Sequence, residues 1–175
     1  MKNFLNAIRS AEDPIPLNKK IINTVRILFI GIVLGTFSKF LDTIPTNELP
    51  FIFEFSDIRN FFGRFAIWLL IALCISIYSN SSIRASINVF VFFMGMVTSY
   101  YLYSKFVAGF FPRSYAMIWG AFTVISPILA FICWYATGKS KLAFVLSVMI
   151  LAVLFNITFV YGSGYFEMRS ILELV

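Results

Sequence analysis

An all-α, polytopic transmembrane helical bundle is the fold class this sequence predicts, on three observations. Hydrophobic residues make up 60% of the 175 residues and charged ones only 13%, against ~45–50% and ~25% in soluble domains. The mean hydropathy is +0.89. The apolar residues also fall into runs of about 20 bounded by cations, the length a helix needs to cross a bilayer. Disorder is excluded, because it needs low hydrophobicity and dense charge. A membrane β-barrel is excluded too, because its strands would show alternating segments of ~10 residues. The reading is five complete spans, with a partial sixth left open.

Residues 1–20 form the most polar long stretch, expected to be a cytoplasmic amphipathic N-terminal segment. Phe4, Leu5 and Ile8 recur at helical spacing beside Lys2 and Arg9, which predicts a short helix on the membrane surface. Pro14 and Pro16 are expected to end it. No apolar core followed by a small-residue cleavage site is present, so this end is expected to be retained. Residues 21–175 are read as one transmembrane helical domain.

The first span is predicted from Ile21 to Leu41, with Arg26 and Lys39 near its ends, where long side chains can snorkel to the interface. Gly31 and Gly35 form a small-xxx-small pair, which either lets another helix approach closely or is a chance spacing. Residues 42–64 follow as a loop holding Asp42, Glu48, Glu54 and Asp57, half of the protein's acids. Pro45 and Pro50 interrupt it, and Phe51, Ile52, Phe53 and Phe55 make it apolar as well, so it reads as structured rather than as a plain connector.

Four more spans are predicted: Phe65 to Ile83, Ala85 to Ser104, Ser114 to Gly138 and Leu142 to Tyr161, edged by Arg64, Arg84, Lys105, Arg113, Lys139 and Lys141. Pro127 is expected to kink the fourth. The closing stretch YFEMRSILELV is too short to span and reads either as an interfacial helix or as the start of a sixth span.

Lys2, Arg9, Lys19, Lys20 and Arg26 crowd the N-terminal side, and Arg84, Lys139 and Lys141 join them by parity of crossings. The positive-inside rule then places the N-terminus in the cytoplasm and the 42–64 loop outside the cell. The formal net charge of +6 reflects these loops and anionic lipid rather than nucleic acid, since no basic stripe or binding motif is present.

Chemistry is sparse. The sequence has no histidine, and the two cysteines, Cys74 and Cys133, stand apart, which argues against a metal centre or cofactor and against a disulfide framework. The predicted spans contain no Asp or Glu, and Ser76, Ser86, Ser99, Ser126 and Ser147 have no base at useful helical spacing. Such serines usually bond to a backbone carbonyl, so the expectation is a protein that is not an enzyme. Asn88 and Asn156 are the amides inside spans, and each is expected to bond between helices.

The outer side is richer. Tyr100, Tyr103, Trp119 and Tyr161 gather there with Arg113 and Asn156, beside Glu54, Asp57 and Arg59 of the loop. Aromatic residues at this depth form the interface belt of most membrane proteins. They also suit a pocket for a small-molecule ligand, with the polar groups as anchors. These nine residues are the candidate binding residues.

The segment Ile44 to Gly63, IPTNELPFIFEFSDIRNFFG, resembles the first loop of the substrate-binding S components of energy-coupling factor (ECF) transporters. Pro45, Pro50, Phe55, Ser56, Asp57 and Gly63 carry the likeness, over about a fifth of the chain. It implies a transporter subunit whose loop closes over a solute, with Gly31 and Gly35 against the helix of a transmembrane partner subunit. Cytoplasmic ATPases would drive delivery, because this chain has no P-loop. Two features depart from the family: its six spans against five here, and Arg59 where the family commonly has proline. The chain also resembles multi-pass membrane proteins of Gram-positive bacteria. The competing expectation is an accessory, scaffold or immunity-type protein acting through helix–helix contacts.

Overall fold

In the computed structural model, residues 2–11, 15–45 and 58–160 are described, and their regular structure is helical. The helices are α1 (Lys2–Ile8), α2 (Leu17–Thr43), α3 (Ile58–Gly63), α4 (Phe65–Ile77), α5 (Ser82–Phe106), α6 (Arg113–Tyr135) and α7 (Lys141–Phe155), and α7 runs on into a π-helical turn at Asn156–Val160. Among the described residues, four stretches are long and apolar enough to cross a membrane: α2, α5, α6 and Lys141–Thr158.

The second expected crossing differs from its prediction. Helix α4 stops at Ile77 rather than Ile83. The turn at 78–81 then hands over to α5, where the Ser81 side chain accepts a hydrogen bond from the Arg84 backbone N–H as N-cap. Thirteen residues rise only about 20 Å. Helix α3 precedes α4 across a single extended residue, Arg64, and the Trp68 indole N–H donates to the Phe62 carbonyl at 2.9 Å, holding the two together.

Helix α5 is the centre of the bundle. Its Val89, Phe92, Phe93 and Met96 are buried with Trp68 of α4 and Ala130 of α6. Between lipid-surrounded helices this packing works through dispersion contact rather than expulsion of water. Rings mesh edge-on through the core, as in Phe92–Phe93 at 5.3 Å and Phe93–Phe122 at 5.2 Å. Large apolar side chains on the opposite faces are exposed, including Phe29 and Val33 of α2, Val124 and Ile128 of α6 and Phe144 and Leu151 of α7. Such faces are ruinous in water and ordinary in hydrocarbon.

Helix α2 runs parallel to α5 along a glycine seam. A Cβ on Gly31 would collide with the Phe92 carbonyl, one on Gly35 with the Met96 carbonyl, and one on Gly95 would lie 2.8 Å from the Leu28 carbonyl. The Gly31–Gly35 pair is therefore a helix-packing device, but its partner is α5 of the same chain. The expected docking of a separate subunit on these glycines is corrected: that face is already filled.

Pro127 lacks the N–H that would bond the Thr123 carbonyl. The Ser126 hydroxyl donates to that carbonyl instead, at 2.8 Å. The other span serines also donate to carbonyls: Ser76 to Ala130, Ser86 to Pro127, Ser99 to Ile32 and Ser147 to Ala136. Four of these bonds join different helices or a helix to a loop.

One end of the bundle, here called basal, holds α1, the α4–α5 turn and the α6–α7 loop. Ile8 of α1 is buried against Trp134, Tyr135, Ala85 and Ala143. The Arg9 guanidinium donates to the carbonyls of Trp134 (2.8 Å) and Ile77 (3.2 Å), and lies 4.1 Å from the Trp134 ring centroid. Of the apolar stripe expected to face lipid, Leu5 and Ile8 dock on the protein while Phe4 is exposed, and the helix ends at Ile8, well before Pro14.

Candidate functional site

The opposite, distal end is built where α2, α3, α5 and α6 converge. The last turns of α2 present Ser38, Lys39 and Asp42, and α5 presents Tyr100 and Tyr101. Lys39 was expected to snorkel outward. It is instead buried, at 5% exposure, because α5 and the α5–α6 connection close over it. Its ammonium lies 3.6 Å from Asp42 Oδ2, 5.1 Å from the Tyr100 ring centroid and 4.6 Å from that of Phe110. The carboxylate and the two ring faces together replace the water that a lysine charge needs. Asp42 in turn accepts a hydrogen bond from the Tyr100 hydroxyl at 2.7 Å.

Beside this group lies a recess of about 70 Å³ lined by Ser38, Asp42, Phe62, Trp68, Tyr100 and Trp119, among others. Trp119 is steered there by Phe65, 5.1 Å away between ring centroids, and Trp68 by its bond to Phe62. The walls are aromatic and the polar atoms sit along one edge. That arrangement suits a flat organic group with a polar rim. The volume is far below the ~300 Å³ at which small-molecule sites usually begin, so the described walls have room for only a small group.

Of the nine candidates, Tyr100 and Trp119 meet in this recess. Tyr103 is half-buried one turn further along α5, and Arg113 is exposed at the start of α6; neither lines the recess. Asn156 is exposed at the end of α7 and does not line it either. Arg59 belongs to α3, but its side chain lies outside the described residues, as do Glu54, Asp57 and Tyr161. The sequence reading missed Lys39 and Asp42 as site residues. Their i, i+3 spacing on one helix was the available signal.

Asn88 does bond between elements: its amide donates to Ser79 Oγ at 3.1 Å, and its Oδ1 accepts from Thr24 of α2 at 3.3 Å as well as from Arg84 of its own helix at 3.2 Å.

A second cavity, of about 390 Å³, lies at mid-depth between α4, α6 and α7, with Leu69, Leu73, Phe122, Leu129, Met149 and Val153 in its walls. It exists because α7 is fixed mainly at its basal end, by Ala143 and by Ser147, and stands off the bundle above. No polar surface faces into it.

Compared with known protein families, curated proteins and solved structures, the chain matches none of them.

Proposed function

We propose that this is a multi-pass protein of the cell membrane that binds a small organic solute at its distal end, from outside the cell. The observation that carries the reading is the Lys39–Asp42–Tyr100 group, a buried lysine and a partly exposed carboxylate beside an aromatic recess. Burying a lysine against a carboxylate adds little stability by itself, and ionisable groups within membrane helices usually mark a substrate path or binding site. Helices α3 and α4 together form the second of five crossings on this reading. The parity of crossings then puts the basal cations, including Arg84, Lys139 and Lys141, in the cytoplasm.

The likeness of residues 44–63 to ECF S components extends the proposal to transport. Solute held at the recess would be handed to a transmembrane partner subunit driven by cytoplasmic ATPases. That partner would meet a surface other than the Gly31–Gly35 seam.

Equilibrium binding of a panel of labelled vitamins and smaller heteroaromatic solutes to the purified protein tests this. One member is expected to bind, with affinity reduced at least about tenfold by Trp119→Ala or Lys39→Met, a loss near 1.4 kcal/mol. No binding across the panel by a protein with intact helix content overturns it.

The apolar cleft beside α7 favours a second reading, an accessory protein that receives a partner's transmembrane helix there. Ile150→Trp, which fills the cleft, separates the two. It abolishes a helix-mediated complex and leaves solute binding at the distal end unchanged.

A further inference from the structure

The basal end carries a third cavity, of about 240 Å³, between α2, the α4–α5 turn and α5. Its polar wall holds Asn23 and Arg26 of α2, Ser79 and Asn80 of the turn and Arg84 and Asn88 of α5, and among the described residues no carboxylate lines it. Arg84 is set in place by one nitrogen only. Its Nη2 donates to the Lys20 carbonyl (2.9 Å), to Thr24 Oγ1 (2.7 Å) and to Asn88 Oδ1 (3.2 Å). Nε and Nη1 make no hydrogen bond among the described residues, so three of the five N–H donors of a fixed guanidinium remain for a ligand. Arg26 is exposed and adds a second cation on the facing helix.

Part of the lining is hydrocarbon. Ile27 and Ile75 belong to it. On α2 the same stripe continues from Asn23 through Arg26 and Ile27 to Ile30, which is exposed. The groove thus passes from two arginines to apolar surface within about two turns, roughly 10 Å. Tyr78, 85% exposed at the mouth, is the amphipathic residue that marks the level of lipid headgroups.

We propose that this cleft binds the phosphate group of an anionic phospholipid of the adjacent leaflet. Arg84 and Arg26 hold the phosphate oxygens, Asn23 bonds the headgroup, and an acyl chain follows Ile27 and Ile30. Guanidinium groups suit phosphate because their paired donors match two of its oxygens, and basic pockets between membrane helices are recurrent headgroup sites. Free phosphate shares the anionic chemistry but has no use for the isoleucine wall.

Native mass spectrometry of the full-length protein in detergent, with added phosphatidylglycerol or phosphatidylcholine, tests the assignment. Wild type is expected to retain one phosphatidylglycerol about tenfold more strongly than phosphatidylcholine. Arg84→Gln is expected to abolish that preference and Arg26→Gln to reduce it several-fold. Arg26 makes no hydrogen bond among the described residues, so its variant reports binding even if Arg84→Gln fails to fold. Equal retention of the two lipids, or an undiminished preference in Arg26→Gln with helix content intact, overturns the proposal. Displacement of the lipid by millimolar inorganic phosphate also overturns it, since the site would then serve a soluble anion.

Discussion

Tyr100 donates its hydroxyl proton to Asp42 at 2.7 Å, and this single bond ties the distal ends of α2 and α5 together beside the enclosed ammonium of Lys39. The three residues come from two helices and sit within one turn of each other in depth. Each depends on the others: the lysine on the carboxylate for charge, and the carboxylate on the phenol for its orientation.

The ion pair is expected to respond asymmetrically to mutation. Asp42→Ala leaves a buried cation without its counter-ion and is expected to destabilise by about 1–3 kcal/mol, less than for a fully buried pair because Asp42 is 29% exposed. Lys39→Met removes the charge and keeps the volume, so its cost is expected to stay below ~1 kcal/mol. Thermal unfolding in detergent measures both. The double variant should be more stable than Asp42→Ala alone.

The glycines separate by position. Gly35→Ala forces a methyl group into the Met96 carbonyl and is expected to cost about 1–3 kcal/mol by overpacking, and Gly35→Leu to prevent assembly of α2 on α5. Gly120→Ala meets nothing within 4 Å on α6 and is expected to stabilise by about 0.5–1 kcal/mol through helix propensity. Unfolding midpoints of the two alanine variants should therefore move in opposite directions.

Arg9 is expected to hold α1 in place. Arg9→Ala removes two bonds to carbonyls and one to Thr137 Oγ1 (2.5 Å), along with the stacking on Trp134. Hydrogen exchange over residues 2–8 should accelerate at least about tenfold, with α2–α7 unchanged. Arg9→Lys keeps the charge but cannot reach all three acceptors from one planar group, so an intermediate rate is expected.

Orientation is open to direct chemical labelling. In a background with Cys74→Ser and Cys133→Ser, a membrane-impermeant maleimide is expected to modify Arg113→Cys on intact cells. Lys139→Cys should react only after permeabilisation. The reverse pattern would invert the molecule and place the aromatic recess in the cytoplasm.

Much of the bundle could be read from the sequence because lipid makes the requirement simple: α2, α5, α6 and α7 are apolar runs of sufficient length with cations at their borders. The end of α4 was overrun because Tyr78, Ser79, Asn80 and Ser81 sit between isoleucines, and the run keeps its apolar character on both sides of the turn. The glycine spacing announced close helix packing but could not say with what; only the seam with Phe92 and Met96 decides that. Within the recess, Trp119 and Tyr100 were legible as outer-end aromatics. The burial of Lys39 was not, since a lysine near a helix end usually reaches water, and it is Tyr100 and Phe110, sixty and seventy residues away in sequence, that enclose it.

The brevity of α4 has a bearing on the bilayer itself. A helix of about 20 Å beside α5 and α6, which are nearly twice as long, spans a bilayer only together with α3, so the acyl chains on that flank would meet the break at Arg64 and dimple inward toward it. A more deformable membrane would accommodate such a flank at the lowest elastic cost.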